Sequence, residues 1–215
     1  MNIKSSEEIV KNLIAKAKKA QSIFENYNQD KVDEVVTAVA WSICKPSNNK
    51  TISKLAVEAT GLGKVEDKII KNRRKTLGLL RDLKNIKTVG VINEDKKNGI
   101  IEIAKPVGVV AAVTPSTNPA ATPINNIINA LKGRNSIIVS PSPSGSKVFK
   151  DLLVLINSEL KKISAPENLI QTFDIEVTKE LTNQLMKHVD LVVVTGSLNN
   201  VREASKSGTK AIGVG

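Results

Sequence analysis

Three short polar segments of the sequence carry residue types that bind phosphate groups. They are Thr114-Pro-Ser-Thr-Asn-Pro119, Ser140-Pro-Ser-Pro143 and Thr195-Gly-Ser197, and none contains a charged residue. Hydroxyls and free backbone N–H groups in such segments can donate hydrogen bonds to a phosphate, especially where a helix begins immediately afterwards. The same residue types also favour turns and helix caps, so each segment alone fits either interpretation. The three together favour a nucleotide site.

The elements that must position these segments are short buried strands. Apolar runs predict strands at 107–113, 136–140, 169–173, 191–195 and 211–214, and helical periodicity predicts helices between them at about 121–131, 146–162, 179–187 and 199–207. Strands that alternate with helices of this length form βαβ units and a parallel sheet. Because ligands bind outside the carboxyl ends of such strands, we expect the three polar segments at one sheet edge.

The first half of the chain has the periodicity of helices. Ser5 and Glu8 have the spacing of a capping box for a first helix, which runs to about residue 27. Asn28 can cap a second helix, which ends at Lys45-Pro46 because the residue before proline avoids the α region. A third helix is predicted over 51–60, where the following glycine stops it.

A fourth helix and a hairpin complete this half. The helix is predicted over 64–85, with an apolar face made by Ile69, Ile70, Leu77, Leu80 and Leu83. Two β-rich runs, 88–93 and 99–104, flank a polar loop and predict a β-hairpin. We therefore divide the chain into a helical segment (1–87) that packs on the sheet domain, a hairpin (88–105) and an incomplete sheet domain (106–215).

Composition excludes several classes of site. The 215 residues include one Cys and one His, which excludes an internal disulfide and the zinc sites built from several Cys or His residues. We therefore expect no metal. No segment has the length and apolarity of a transmembrane helix, and the N-terminus lacks the apolar stretch of a secretory signal. We expect a cytoplasmic protein that does not bind a membrane.

The positive charge is a weaker indication of function. The net charge is +11, and residues 1–105 hold 21 of the 32 Lys and Arg residues. The densest basic run, 68–75, has no aromatic residue near it to stack on bases, as nucleic-acid binders commonly have. A solvated helix face is the favoured interpretation, and a basic nucleic-acid binder is the alternative that we do not expect.

Several stretches resemble one family, the aldehyde dehydrogenase superfamily. Lys105–Pro119 is similar to its first Rossmann strand and following loop, 131–141 to the next helix and strand, and Asp190–Ser197 to the strand before its Gly-Ser phosphate turn. Thr-Asn-Pro in place of Trp-Asn-Phe-Pro, together with Ser-Pro-x-Pro and Gly-Val-Gly, resembles the CoA-acylating branch. The stretches 28–33 and 58–68 are most similar to acylating succinate-semialdehyde dehydrogenase.

The resemblance implies a fold and a reaction. The fold would be α/β: an N-terminal helical segment and a β-hairpin followed by a Rossmann-like parallel sheet with flanking helices. The reaction would convert an aldehyde, CoA and NAD(P)+ into acyl-CoA and NAD(P)H, with succinate semialdehyde as the favoured aldehyde. Asn118 matches the asparagine of the family's oxyanion hole, whose amide can donate to a developing alkoxide.

The resemblance also implies a cofactor site in the three polar segments. The residues that match are Thr114, Pro115, Ser116, Thr117, Ser140, Pro141, Ser142, Thr195, Gly196 and Ser197. Non-acylating relatives hold the adenosine ribose with a Lys and a Glu, where this chain has Ser140 and Pro143. Without that carboxylate nothing repels a 2′-phosphate, so both NAD and NADP remain open.

The chain departs from the family in its cysteine. The family's nucleophilic Cys belongs to a second domain, and Cys44 reads instead as a small buried hydrophobe near the end of a helix. We therefore expect a truncated fold, an N-terminal fragment without aldehyde oxidation of its own, whose intact form is a homo-oligomer joined through the hairpin. The alternative is a stand-alone nucleotide-binding module without catalysis.

Overall fold

Four helices form the first half of the chain, in a computed structural model that describes residues 5–214. They are α1 (Ser6–Phe24), α2 (Gln29–Cys44), α3 (Pro46–Thr60) and α4 (Val65–Leu83). The Ser5–Glu8 capping box and the Asn28 cap are both present, and Gly61 ends α3 in the left-handed region, with φ 66°. Within residues 5–214 no helix is long and apolar enough to cross a membrane.

Two details of these helices differ from the sequence prediction. Helix α3 begins at Pro46 rather than at Thr51, because a proline at the first helical position loses no hydrogen bond. Helix α4 buries Lys68, Asn72 and Thr76, whereas Ile70 and Leu77 of the predicted apolar face are exposed. Hydrogen bonds across the helix pair, described below, satisfy Asn72, whereas the Thr76 hydroxyl has no hydrogen-bond partner within residues 5–214.

A hairpin follows the helices. Its strands, β1 (Gly90–Asp95) and β2 (Ile100–Ala104), pair antiparallel with an irregularity between Val91 and Asn93. They form a two-stranded sheet of their own. Ile100, Ile101 and Ile103 are all more than half exposed, so the hairpin presents apolar side chains on both faces.

The second half builds a parallel sheet flanked by helices. In chain order the elements are β3 (Val109–Thr114), α5 (Ala121–Lys132), β4 (Ser136–Pro141), α6 (Ser146–Lys162), β5 (Ile170–Gln171), α7 (Lys179–His188), β6 (Leu191–Thr195), α8 (Leu198–Lys206) and β7 (Ala211–Val214). The strand order is β5-β4-β3-β6-β7, which is the arrangement of a Rossmann fold. The edge strand β5 is shorter than the predicted 169–173. The predicted α/β fold class is confirmed.

Helices cover both faces of the sheet, and helices from the first half contribute to each cover. Val110, Ala112 and Ile137 point into a core shared with α2, α5 and α6. Val109, Ala111 and Ile138 point into a second core with α1 and α7. This division follows from the alternation of side chains along a strand. Strands β3 and β4 are buried along their whole length, as their continuous apolar sequence indicated, whereas the edge strand β7 is largely exposed.

Polar side chains fix the start of the central strands. The backbone N–H of Val109 donates to Asp190 Oδ2 (2.7 Å), and the N–H groups of Val107 and Gly108 donate to Asn135 Oδ1 (2.7 and 3.1 Å). Gly108 has φ 121°, and a Cβ there would collide with the Asp190 carboxylate. Only glycine therefore fits at this approach of two strands.

Arg134 connects three parts of the molecule. Its Nη1 donates to the carbonyl of Glu25 (2.7 Å) just after α1, and its Nη2 donates to the carbonyl of Ala104 (2.9 Å) at the end of β2. Nearby, Lys132 Nζ forms an ion pair with Asp33 of α2 (2.5 Å). These contacts hold α1, α2 and the hairpin against the end of the sheet where β4 begins.

Candidate functional site

A cleft of about 580 Å³ lies at the carboxyl edge of the sheet. It lies at the ends of the two central strands, β3 and β6. From β3 the chain continues to β4 on one side of this pair, and from β6 it continues to β7 on the other side. Ligands of open α/β sheets bind at such a switch point. The cleft walls include most residues of the three polar segments: Thr114, Pro115, Ser116, Ser140, Pro141, Ser142, Gly196 and Ser197.

The first segment places a buried hydroxyl in the cleft wall. Thr114 ends β3 and is 3 % exposed, and its Oγ1 has no hydrogen-bond partner within residues 5–214. Its carbonyl accepts from the backbone N–H of Ser142 (3.0 Å), which joins the first segment to the second. A buried hydroxyl without a partner is costly, so this group is available to a ligand in the cleft.

The second segment is supported by α7, which the sequence analysis did not include in the site. The Ser140 and Thr182 hydroxyls are 2.8 Å apart, and Ser142 Oγ accepts from the N–H of Gly145 (3.3 Å). Thr178, Thr182 and Met186 line the cleft at intervals of four residues. That spacing marks one face of α7, but an ordinary amphipathic helix has it too, so the sequence held no distinctive signal.

The third segment forms the turn into α8. Ser197 is the N-cap of α8 and its Oγ accepts from the N–H of Asn200 (3.4 Å). A Cβ on Gly196 would lie 3.3 Å from Asn200 Nδ2, so glycine keeps the backbone of the turn close to the helix. Asn199, Asn200 and Glu203 of α8 also line the cleft, and the sequence analysis missed them for the same reason as α7.

Asn118, Thr117 and Thr195 lie outside the cleft walls. Asn118 is half-buried, and its Oδ1 accepts from Lys71 Nζ of α4 (3.1 Å). Its Nδ2 lies 3.4 Å from Thr117 Oγ1, while the Thr117 carbonyl accepts from Lys68 Nζ (3.4 Å). The candidate oxyanion-hole residue therefore faces the first half of the chain, next to two lysines that the sequence analysis treated as part of a solvated helix face.

Lys68 is a buried cation. The residue is 7 % exposed, and the pKa of its ammonium is lowered by burial and by the positive charge of Lys71. No carboxylate among residues 5–214 forms an ion pair with either lysine. For Lys68, this corrects the expectation of a fully solvated face.

Cys44 lies apart from the cleft. It ends α2, is half-buried, and packs against the core between α2 and the sheet. Burial raises the pKa of its thiol, and Arg73 partly offsets that rise. A thiol whose pKa is raised holds less of the nucleophilic thiolate at neutral pH.

Comparison with known proteins connects this geometry to a family. The sequence profile of the aldehyde dehydrogenase family matches residues 3–213. The chain is 52 % identical over 211 residues to a sulfoacetaldehyde dehydrogenase (acylating) of Cupriavidus necator, covering 98 % of this chain and 43 % of the relative. It is 43 % identical over 211 residues to a succinate-semialdehyde dehydrogenase (acetylating) of Clostridium kluyveri, covering 98 % and 46 %.

Solved structures agree with these sequence matches. An acetylating aldehyde dehydrogenase from Geobacillus thermoglucosidasius superposes with a TM-score of 0.92 at 38 % identity, over 98 % of this chain and 46 % of that one. An engineered glycolyl-CoA reductase with bound NADP+ superposes with a TM-score of 0.82 at 31 % identity, over 96 % and 47 %. The chain thus spans less than half the length of the relatives it matches.

Proposed function

Because the chain belongs to the aldehyde dehydrogenase family, we propose that it supplies the cofactor cleft and the oxyanion-hole asparagine of a CoA-acylating aldehyde dehydrogenase. The net reaction is aldehyde, CoA and NAD(P)+ to acyl-CoA, NAD(P)H and a proton. Succinate semialdehyde was the aldehyde that the sequence favoured, and the similarity to sulfoacetaldehyde dehydrogenases makes sulfoacetaldehyde an equal candidate.

The cleft at the switch point of the sheet is the observation that carries this proposal. Its three converging segments are uncharged, and its wall contains the Thr114 hydroxyl, which has no hydrogen-bond partner in the described part of the chain. Hydroxyl and backbone N–H donors of this kind suit the phosphates and ribose of a dinucleotide. The residues present therefore fit NAD or NADP.

Each segment has a proposed role in holding the dinucleotide. Gly196 and Ser197, at the N-terminus of α8, would bind the pyrophosphate, with Thr195 completing the turn. Thr114, Pro115, Ser116 and Thr117 would adjoin the nicotinamide ribose, and Ser140, Pro141 and Ser142 the adenosine ribose. The second segment has no carboxylate, so neither NADP nor NAD is rejected there.

The catalytic role that we propose for this chain belongs to Asn118. A thiolate that attacks the aldehyde carbon creates an alkoxide, and the Asn118 amide would donate a hydrogen bond to that oxygen. Lys71 holds the amide carbonyl, which leaves Nδ2 as the donor. A bound dinucleotide would supply the hydride acceptor, and thiolysis by CoA would then release the acyl group. Cys44 is not among the residues that line the cleft, so the thiolate would come from a polypeptide segment outside these 215 residues.

Two measurements test the proposal. The 215-residue chain should bind NADPH or NADH weakly in a fluorescence titration and should oxidise neither aldehyde. A longer polypeptide that adds a segment with the nucleophilic Cys should oxidise an aldehyde only with CoA and NAD(P)+ present. Nucleotide binding by both forms without any oxidation would instead support the stand-alone module. Aldehyde oxidation by the 215 residues alone would refute the proposal that the nucleophilic Cys lies outside them.

We further propose that the protein works in the cytoplasm as a homo-oligomer joined through the hairpin. The exposed isoleucines of β2 and the unpaired edges of the two-stranded sheet suit pairing with a second hairpin. Sedimentation should show a dimer or larger assembly for the intact enzyme, and Ile101→Lys should shift it toward the monomer. An assembly unaffected by that substitution would remove the hairpin from the interface.

A further inference from the structure

Two lysines of α4 converge on the loop that carries Asn118. Lys68 and Lys71 are three residues apart and therefore lie on one side of the helix. Lys68 Nζ donates to the Thr117 carbonyl (3.4 Å) and Lys71 Nζ donates to Asn118 Oδ1 (3.1 Å). Two ammonium groups thus approach consecutive residues of the proposed oxyanion-hole loop.

Lys68 is held in place by the turn before α4. A Cβ on Gly63 would lie 3.7 Å from Lys68 Cε and 4.0 Å from Nζ, so the lysine side chain runs along this glycine turn. The residue is 7 % exposed, although an unpaired cation loses favourable hydration when it is buried. The fold therefore holds a charge where folding alone would favour an apolar side chain.

Within residues 5–214 neither lysine has a carboxylate partner. An ammonium group has three N–H donors, and the structure shows one hydrogen bond from each lysine. Glu66 and Asp67 precede the pair on the same helix, yet no ion pair links either of them to Lys68 or Lys71. An anion placed between the two ammonium groups would provide both the countercharge and the acceptors.

We infer that Lys68 and Lys71 bind the terminal anionic group of the aldehyde substrate, a sulfonate or a carboxylate. The inference rests on the proposed function, because it places the aldehyde oxygen at Asn118. In a two- to four-carbon aldehyde the anion lies a few bonds from the carbonyl carbon, so its site must adjoin the amide that binds the carbonyl oxygen. Charge-assisted hydrogen bonds from two lysines suit such an anion, and a neutral aldehyde would leave the lysines without a partner.

The phosphates of CoA are the other source of an anion in this reaction. They lie far along the CoA molecule from its reacting thiol, whereas the lysines adjoin the residue proposed to bind the reacting oxygen. A lysine pair that served CoA would affect the KM for CoA, and a pair that serves the aldehyde would affect the KM for the anionic aldehyde. The two assignments are therefore separable by kinetics.

The kinetic test uses the intact enzyme and pairs of aldehydes. Sulfoacetaldehyde and succinate semialdehyde are compared with propionaldehyde and butyraldehyde for the wild type, Lys68→Met and Lys71→Met. We expect each variant to lower the ratio of kcat/KM for anionic over neutral aldehydes by roughly tenfold or more, with an increased KM for the anionic aldehyde. Lys71→Arg should retain most of the preference, and Lys75→Met, an exposed lysine one turn further along α4, is the matched control.

Three outcomes overturn the inference. They are an equal loss with anionic and neutral aldehydes, a rise confined to the KM for CoA, and an identical effect of Lys75→Met. Failure to fold is not expected to obscure the result, because burying a cation without a counter-ion costs free energy that a buried methionine does not cost. An unchanged or higher melting temperature of Lys68→Met verifies this.

A binding measurement on the 215-residue chain separates this inference from the proposed function. Ethanesulfonate cannot react, so protection against thermal unfolding reports binding alone. We expect it to protect the wild type, to protect Lys75→Met equally, and to protect Lys68→Met at least several-fold less. Protection without any aldehyde oxidation by the intact enzyme would refute the function and keep the anion site. Oxidation without protection would do the reverse.

Discussion

Among single side chains, Thr114 shows most directly how the sheet edge is prepared for a ligand. The residue ends the buried strand β3, and its hydroxyl is buried in the cleft wall without a hydrogen-bond partner among residues 5–214. The sequence predicted its place at the end of a strand from the apolar run before it. It could not predict the missing partner, because that depends on the distant segments that close around the hydroxyl.

Replacing Thr114 by valine should therefore have opposite effects on folding and on binding. Thr114→Val keeps the shape and removes the unpaired hydroxyl, so the free energy of unfolding should rise by about 1 kcal/mol. Nucleotide affinity should fall several-fold if that hydroxyl donates to the ligand. Urea unfolding and NADPH titration measure the two effects.

Thr51→Val, on an exposed face of α3, serves as the control for Thr114→Val. It should leave nucleotide affinity unchanged. If Thr114→Val is more stable yet binds NADPH as tightly as the wild type, the Thr114 hydroxyl is not a ligand.

At the scale of elements, the pair α3–α4 shows a helix whose buried face the pattern of hydrophobicity does not predict. Asn72 Nδ2 donates to Asn49 Oδ1 (3.0 Å) and lies 3.2 Å from Ser53 Oγ, while Asn49 Nδ2 donates to the Ile69 carbonyl (2.9 Å). This polar contact selects the buried face of α4, and its register differs from the apolar periodicity of the sequence. Caps and stops, such as Asn28 and Gly61, act within a few residues and were predicted correctly.

The polar contact between α3 and α4 should be sensitive to loss of one member. Asn72→Leu removes two hydrogen bonds, and the buried side-chain oxygen of Asn49 loses one of its donors. We expect the free energy of unfolding to fall by about 1–3 kcal/mol. Urea denaturation measures the change.

Arg74→Leu, two residues along the same helix and exposed, is the matched control for Asn72→Leu. It should change stability by less than about 0.5 kcal/mol. Equal effects of the two substitutions would mean that the polar contact does not stabilise the helix pair.

For the whole molecule, the helical first half and the parallel sheet share their hydrophobic cores. Val10, Ile14 and Ala17 of α1 belong to the core on one sheet face, and Val35 and Val39 of α2 belong to the core on the other. Periodicity identified each element, yet the packing of early helices onto a later sheet is long-range and leaves no local pattern. The same limit hid the contribution of α7, α8 and the α4 lysines to the candidate sites.

The shared cores predict that the sheet region cannot fold alone. Residues 106–215 without the first half would lose the helices α1 and α2, which cover apolar surface on the two faces of the sheet. This loss of burial exceeds what a small domain tolerates. We expect no cooperative thermal transition and a tendency to aggregate for this fragment, whereas the 215-residue chain unfolds cooperatively. A single sharp transition for 106–215 would show that the division at residue 105 separates folding units.

The absence of charge from the three polar segments has a consequence for how ionic strength affects the two candidate sites. Phosphates held by the hydroxyls, backbone N–H groups and helix terminus of these segments interact with dipoles that lie in direct contact, and added salt screens such short contacts little. The two charged residues that line the cleft, Lys179 and Glu203, have opposite signs and together add no net charge. Binding of an anion by Lys68 and Lys71 depends on the positive charge of the two ammonium groups. Lys71 is exposed, so counterions in the solution can screen its charge. Raising the salt concentration should therefore weaken binding of the anionic aldehyde while the dinucleotide remains bound. Salt concentration thus distinguishes the lysine site from the dinucleotide cleft, although both adjoin the loop after β3.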